Sequence, residues 1–476
     1  MKSLRFWAAG ATALSLVGMW AEGAEAAGFA SQQFGGEQGS VVATNPTALY
    51  YNPGALGFSP GTALGMYGSL AIRHATWTPA ANAPGTIPDP SDAQGANTDE
   101  AKLMNVFGGA SAAGSTHIGN LVIGAGFFAP FFGISHWEKN DSLSSATVAK
   151  YPYAVDGSQR WYSIDGKMEI LYFTAGAAYR LGPLGIGATA NLISSTVLVN
   201  QAKGNQGYAD TTQEGRAFLD AHGFNGSFAA GAMLEILRDQ MWLAGSYQAQ
   251  PGMGQQSLNG FSSNTQYGTT SLPFPVTFTQ SLPDIFRAGL RVRPKGTPWE
   301  FRVFGDFTRW SKMQAQCVVI RNDPCAIVPV DGSTNPSQGS QPQNGPNGVQ
   351  TYDRRNWNNT WGARIGASYW VKPQVELFVG GGYETAAVPD STLAPDLFDA
   401  NNILMAIGGR FALSDTLFLT ASYTQIQYMN RDNTGKSTLN TLPNGVQISV
   451  PTVEEDGGGK YTQWIGIFTG NLEAMF

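Results

Sequence analysis

The chain has 476 residues, 59 of them glycine, with 12% aromatic and only 13% charged residues and a net charge of -6. A soluble globular domain carries about 25% charged residues, so this composition speaks against an ordinary soluble enzyme. The mild acidity gives no reason to expect a nucleic-acid partner.

The opening, MKSLRFWAAGATALSLVGMWAEGAEAAGFA, reads as a secretory signal peptide over residues 1–26. Lys2 and Arg5 form the positive start, Phe6 to Trp20 the apolar stretch, and Ala24-Glu25-Ala26 the small-residue cleavage site. That apolar stretch, roughly fifteen residues, is short of the ~20 a spanning helix needs. No later run is long and apolar enough for one either, which excludes a helical inner-membrane protein.

Residues 27–61 are too broken by Gly and Pro for a strand pair and too long for a bare tail. Two readings stand: a periplasmic tail, or a plug inside a barrel. The aromatic residues Phe29, Phe34, Tyr50, Tyr51 and Phe58 favour the plug.

From residue 62 onward the dominant pattern has period two, the mark of strands with two unlike faces. In 360–370, Trp361, Ala363, Ile365, Ala367 and Tyr369 alternate with Thr360, Gly362, Arg364, Gly366 and Ser368. The pattern predicts fourteen strands: 62–77, 102–113, 118–131, 167–180, 184–199, 225–236, 240–250, 283–293, 299–311, 360–370, 374–385, 402–412, 416–428 and 461–476. The connections alternate long and short throughout, as in 78–101 then 114–117, and 132–166 then 181–183. Outer-membrane barrels join short periplasmic turns to long external loops. The expected fold is therefore all-β, a fourteen-stranded antiparallel transmembrane barrel over 62–476 with both ends periplasmic.

The same parity sorts the charges. With Phe286, Ala288, Leu290 and Val292 outward, Arg287, Arg291 and Arg293 point inward, as do Arg302, Asp306, Arg364, Glu376 and Glu384 on other strands. They form either a ladder of ion pairs bracing the lumen, since buried charges are normally paired, or leave one or two arginines for a substrate carboxylate. Tyr172, Phe304, Phe378, Phe418, Ile465 and Ile467 also point inward, which suits an oily ligand better than the wet lumen of a porin.

Cys317 and Cys325 are the only cysteines and stand close together in a polar stretch. In an exported protein they are expected to form a loop disulfide, the alternative being two free thiols. Gly57-Phe-Ser-Pro-Gly61 has the nucleophile-elbow spacing and Gly185-Ile-Gly187 that of a dinucleotide loop, but no strand–turn–helix context surrounds either. The four histidines lack metal or triad spacing. No enzyme activity, cofactor or metal is expected.

Several motifs, in order along the chain, resemble the FadL/TodX family of outer-membrane transporters for fatty acids and aromatic hydrocarbons. They are Ala27-Gly-Phe29, Tyr50-Tyr-Asn-Pro-Gly-Ala-Leu56, Ser281-Leu-Pro-Asp-Ile-Phe-Arg287, Asp306-Phe-Thr-Arg-Trp-Ser-Lys312 and Val388-Pro-Asp390. One departure is Gly54, where the family usually has Ala. The resemblance implies a barrel closed by an N-terminal plug gated around Asn52, Pro53 and Gly54. A hydrophobic ligand would first meet a groove between loops 200–224 and 251–282. It would next enter a pocket near the mature N-terminus; the expected binding residues are Phe29 and Phe34 of that stretch and, from the strand parity, Arg287, Arg291, Arg302 and Arg364. It would then leave sideways by facilitated diffusion beside a kinked third strand containing Gly124, Gly126 and Pro130. Long-chain fatty acids are the expected cargo, with an aromatic-hydrocarbon channel or a general porin as alternatives. Expected partners are the hydrophobic ligand, outer-membrane lipid and lipopolysaccharide, and the barrel is expected to be a monomer.

Overall fold

The computed structural model describes residues 38–80, 87–204, 210–266, 269–270, 272–325, 349–439 and 456–476. Phe29 and Phe34 lie outside the described residues, as do the signal-peptide stretch and the first part of the expected plug.

Fourteen long strands make the wall: β1 Ala63–Pro79, β2 Ala101–Ile118, β3 Leu121–His136, β4 Asp165–Leu181, β5 Leu184–Lys203, β6 Gly215–Leu237, β7 Met241–Gln248, β8 Ile285–Val292, β9 Trp299–Thr308, β10 Thr360–Lys372, β11 Val375–Glu384, β12 Asn402–Ala412, β13 Leu417–Tyr428 and β14 Gly459–Met475. Each pairs antiparallel with the next, and β14 closes the ring on β1 from Ala63↔Met475 to Pro79↔Gly459. Closure matters because hydrocarbon offers no partner for a free N–H or C=O, so a spanning sheet cannot keep an edge.

The parity read from the sequence holds along most of the wall. Ile365 and Val303 face outward at 64% and 53% exposure, whereas Phe378 and Ile465 face inward at 1% and 3%. The short turns gather at the rim where Thr62 and Phe476 exchange backbone hydrogen bonds. Gly119, at φ 64°, turns β2 into β3 there; a left-handed backbone suits glycine because it has no Cβ to clash.

Some boundaries differ from the sequence reading. β2 runs on to Ile118 and the turn is Gly119-Asn120, because His117 and Ile118 still pair with Val122 and Leu121. β6 begins at Gly215, ten residues before the expected start, since the hairpin with β5 continues to Lys203↔Gly215. The loops after β7 and β9 are not irregular throughout. Gln256–Gln266 pairs with β6, Phe274–Gln280 with Gln256–Gln266, and Ala315–Ile320 and Val349–Arg354 extend the sheet. This outer sheet is read poorly from sequence because its polar residues are buried among themselves.

Behind it, the external loops are tied through Arg160, which is fully buried. It pairs with Glu214 at 3.0 Å, donates to the Ala96 and Gly157 carbonyls, and reaches Asn97 Oδ1 at 2.8 Å.

Candidate functional site: lumen, external cleft and interrupted wall

Residues 38–61 pack against the inner wall as a short helix, Ala48–Tyr51, and a 3-10 helix, Pro53–Phe58. Asn52 joins them and is completely buried. Its Oδ1 accepts from Gly54 N at 3.1 Å, while its Nδ2 donates to Val41 O at 2.9 Å and to Ala232 O of β6 at 3.1 Å. Pro53 starts the 3-10 helix, where its fixed φ fits and no N–H is required.

The landing for this turn is made of glycine. A Cβ on Gly187 would sit 2.6 Å from the Pro53 carbonyl carbon, and one on Gly231 would strike the Asn52 amide. The departure at Gly54 has the same cause: its Cβ would lie 2.7 Å from Ala232 Cα, so alanine does not fit. Gly185 and Gly187 thus clear space for the N-terminal segment, not for a dinucleotide. The other enzyme-like pattern resolves similarly, since Ser59 Oγ donates to the Leu56 carbonyl at 2.8 Å as a helix cap.

Between this segment and β8–β10 lies a cavity of about 550 Å³, bordered by Tyr50, Tyr51, Arg287, Phe304, Asp306 and Arg364. Arg364 is engaged by Asp306 at 3.3 Å and Glu384 at 3.6 Å. Arg287 bonds Gln248 Oε1 at 2.9 Å and lies over the rings of Tyr50 and Tyr51. Among the described residues it has no ion pair. Arg291 and Arg302 sit elsewhere, in a more polar cavity toward the short-turn rim. Arg291 pairs with Glu300 at 3.1 Å; Arg302 lies 3.9 Å from Glu300 and donates to Ser368 at 2.8 Å. The structure therefore brings Arg287 and Arg364 together and separates Arg291 and Arg302 from them.

The external cleft, enclosing about 1010 Å³, lies between the extended β5–β6 hairpin and the outer sheet. Met168, Val197, Leu219, Phe274, Phe278 and Leu397 give it an apolar lining. Beside this lining runs a buried chain of hydrogen bonds that sequence reading missed. Gln256 donates to Ser195 Oγ, Gln280 to Gln256, Gln316 to Gln280 and Arg355 Nε to Gln316, at 2.6, 3.1, 2.9 and 2.9 Å. Arg355 ends it on Asp396 at 2.9 Å. In low-dielectric surroundings each of these bonds strengthens the next, so the chain braces the cleft wall.

The wall itself is interrupted at β3. Its ladder with β2 spans only Ala112↔Phe127 to Ile118↔Leu121. On the β4 side the register jumps from Phe128↔Tyr172 to Phe131↔Ile170, so Ala129 and Pro130 together face Leu171. This is a β-bulge, with Pro130 contributing no N–H. From Phe128 to Gly133 every residue is buried, so the in–out alternation stops. Above the gap, Asn105 bonds both N–H and C=O of His136, at 3.2 and 2.9 Å, and Phe107 meets Phe132 across it with ring centroids 6.5 Å apart. Gly124 and Gly126 lie below the gap, in the part that still pairs with β2. Tyr50 touches Phe128 and Tyr172, with ring centroids at 5.7 and 6.2 Å, so the N-terminal segment contacts the bulged strand directly.

The outer-sheet strand carrying Cys317 is joined to Cys325 by a disulfide.

Comparison with known proteins gives a consistent picture. The sequence model of the outer membrane protein transport protein family (OMPP1/FadL/TodX) matches residues 8–452. No curated protein sequence matches the chain. Among solved structures, a Pseudomonas aeruginosa FadL homologue superposes with a TM-score of 0.70 at 14% identity, covering 96% of this chain and all of that one. The Pseudomonas putida toluene transporter TodX gives 0.60 at 13% identity, covering 96% of this chain and 100% of the other. The Ralstonia pickettii toluene transporter TbuX gives 0.58 at 14%, covering 95% and 99%.

Proposed function

This chain belongs to the OMPP1/FadL/TodX family of outer-membrane transport proteins, and we propose that the cargo it carries is a long-chain fatty acid. Transport of hydrophobic compounds across the outer membrane is the activity of the family. The observation that carries the finer reading is Arg287. It borders an inner cavity, lies over two tyrosine rings and has no ion pair among the described residues. A forked guanidinium with no ion pair among the described residues suits a carboxylate, whereas an aromatic hydrocarbon would gain only a weaker cation–π contact from it.

In this reading the ligand settles in the external cleft, gaining about 0.8 kcal/mol per buried CH₂. It passes to the cavity at Arg287 and leaves between β2 and β3 into lipid. Two features support sideways exit: the ladder that ends at Ala112↔Phe127, and the contact of Tyr50 with Phe128. An oily ligand leaving this way never crosses periplasmic water.

A hydrocarbon cargo is the second reading, supported by the aromatic chain Tyr50, Tyr172, Phe131 and Trp310. Uptake of labelled oleate and of toluene, by cells lacking their own channel, separates the two. Wild-type protein should raise oleate uptake, and Arg287→Met should cut it severalfold while leaving any toluene uptake alone. Toluene uptake without oleate uptake would replace the fatty-acid reading by the hydrocarbon one.

A further inference from the structure

The charges lining the external cleft do not balance. Lys167 pairs with Glu169 at 2.5 Å, and Arg355 with Asp396 at 2.9 Å and Asp353 at 3.7 Å. Lys203, also in the lining, is half-buried, and among the described residues its side chain has neither hydrogen bond nor ion pair. Nearby carboxylates are committed elsewhere: Glu214 to Arg160 and Arg216, and Asp156 to Arg216. Asp210 caps its own turn by accepting from Thr212 N at 2.8 Å.

Register explains why the ammonium stays open to the cleft. The face of β5 that carries Ser195 and Val197 continues through Val199 and Gln201 to Lys203. Directly across from Lys203 stands Gly215, which has no side chain to cover it, and Arg216 beside it is tied to Asp156 and Glu214. The cleft therefore has an apolar floor at Val197 and Leu219 and a cation roughly 20 Å further out along the strand, at 3.3 Å per residue. Such an arrangement has two ends of different chemistry.

We propose that Lys203 is the head-group cation of the external cleft, and that the cleft takes single-tailed amphiphiles with an anionic head, the tail running inward toward Val197 and Leu219. The proposal rests on the cleft being the ligand's first seat, as in the transport reading above. It adds a selection step at the surface: an anionic chain is held end-on with its tail already pointing inward, and a neutral chain of the same length is not. A lysine in open solvent would simply extend into water; one beside an apolar cleft with no counter-ion gains by receiving one.

The test uses full-length protein in lipid nanodiscs, in an Arg287→Met background so that the inner cavity does not contribute. Laurate and dodecanol serve as anionic and neutral probes of equal chain length. Lys203→Met should weaken laurate binding about tenfold, the scale of one charged hydrogen bond, and leave dodecanol unchanged. Lys203→Arg should keep laurate near its starting affinity. Unchanged laurate binding in Lys203→Met, or equal loss for both probes, overturns the proposal while leaving the transport reading in place. Binding of neither probe by the parent protein overturns both the proposal and the cleft's place in transport.

Discussion

The side-chain amide of Asn52 donates to the carbonyl of Ala232 at 3.1 Å, so a residue of the N-terminal segment is bonded to the backbone of the barrel wall. The same nitrogen holds Val41, and the amide oxygen holds Gly54, which makes one side chain the junction of two helices and strand β6. Asn52→Ala removes the side-chain donor to both carbonyls and the acceptor of the Gly54 N–H, at a cost of about 1–3 kcal/mol for each buried group left unpaired. The barrel ladder is untouched by the change. Uptake of a hydrophobic substrate is expected to fall severalfold while heat-modifiable migration on gels stays normal. Normal uptake at normal expression would show that the junction plays no part in transport.

At β3 the extra residue can be removed. Deleting Ala129 and replacing Pro130 by Val brings Phe131 into step with Phe128 on the β4 side and restores an N–H for the ladder. Filling Gly126 is a poorer route, because a Cβ there would lie 2.9 Å from the Phe128 ring and from Ala113. The straightened strand should extend its pairing with β2 and lower uptake severalfold, with the barrel intact on gels. A vertical route to the periplasm predicts little change, and that result would remove lateral exit from the proposal.

Arg160 is a scaffold residue of the external loops. Replacing it by Met leaves Glu214 with Arg216 alone, at 2.7 Å, and takes a donor from the Ala96 and Gly157 carbonyls and from Asn97 Oδ1, at about 1–3 kcal/mol for each buried acceptor left unpaired. The loss falls on the loops and not on the membrane-spanning ladder. Limited proteolysis of intact cells should show new cuts in 87–101, 138–164 or 210–214, while the protein stays in the outer membrane at wild-type amount. An unchanged digestion pattern would argue that the other loop contacts suffice.

The Cys317–Cys325 bond lies on the outer sheet, whose strand Ala315–Ile320 contributes Gln316 to the amide chain. Protein taken from the outer membrane should resist maleimide until reduced and then label at both positions. Label without reductant would mean that the thiols are free. The same reagent tests orientation: Asp141→Cys should label on intact cells and Gly296→Cys should not.

How far the chain can be read without coordinates depends on the range of the interaction. Strand parity is local: each residue's lipid or lumen face follows from its neighbours two places away, so the inward arginines and the outward Phe286 and Ile365 were legible in the sequence. Loop length is local too, and gave the rim on which both barrel ends lie. The pairing of those arginines was not, because Arg364 reaches Asp306 and Glu384 across strands while Arg287 bonds the Gln248 amide and lies over two tyrosine rings, with no ion pair among the described residues. The weak dinucleotide pattern at Gly185 and Gly187 shows the same limit, since the backbone that fills its space is more than a hundred residues away.

The sequence by itself determined a barrel of alternating faces and its topology, because those follow from repetitive short-range constraints imposed by lipid. Only the tertiary structure decided where β3 breaks from β2, which glycines receive Asn52 and Pro53, and how Gln256, Gln280 and Gln316 join into one chain. It also decided that Lys203 stands across from Gly215, which has no side chain to cover it. Each of these depends on which distant backbone or side chain meets a given residue, and a strand's own pattern carries no record of its partner.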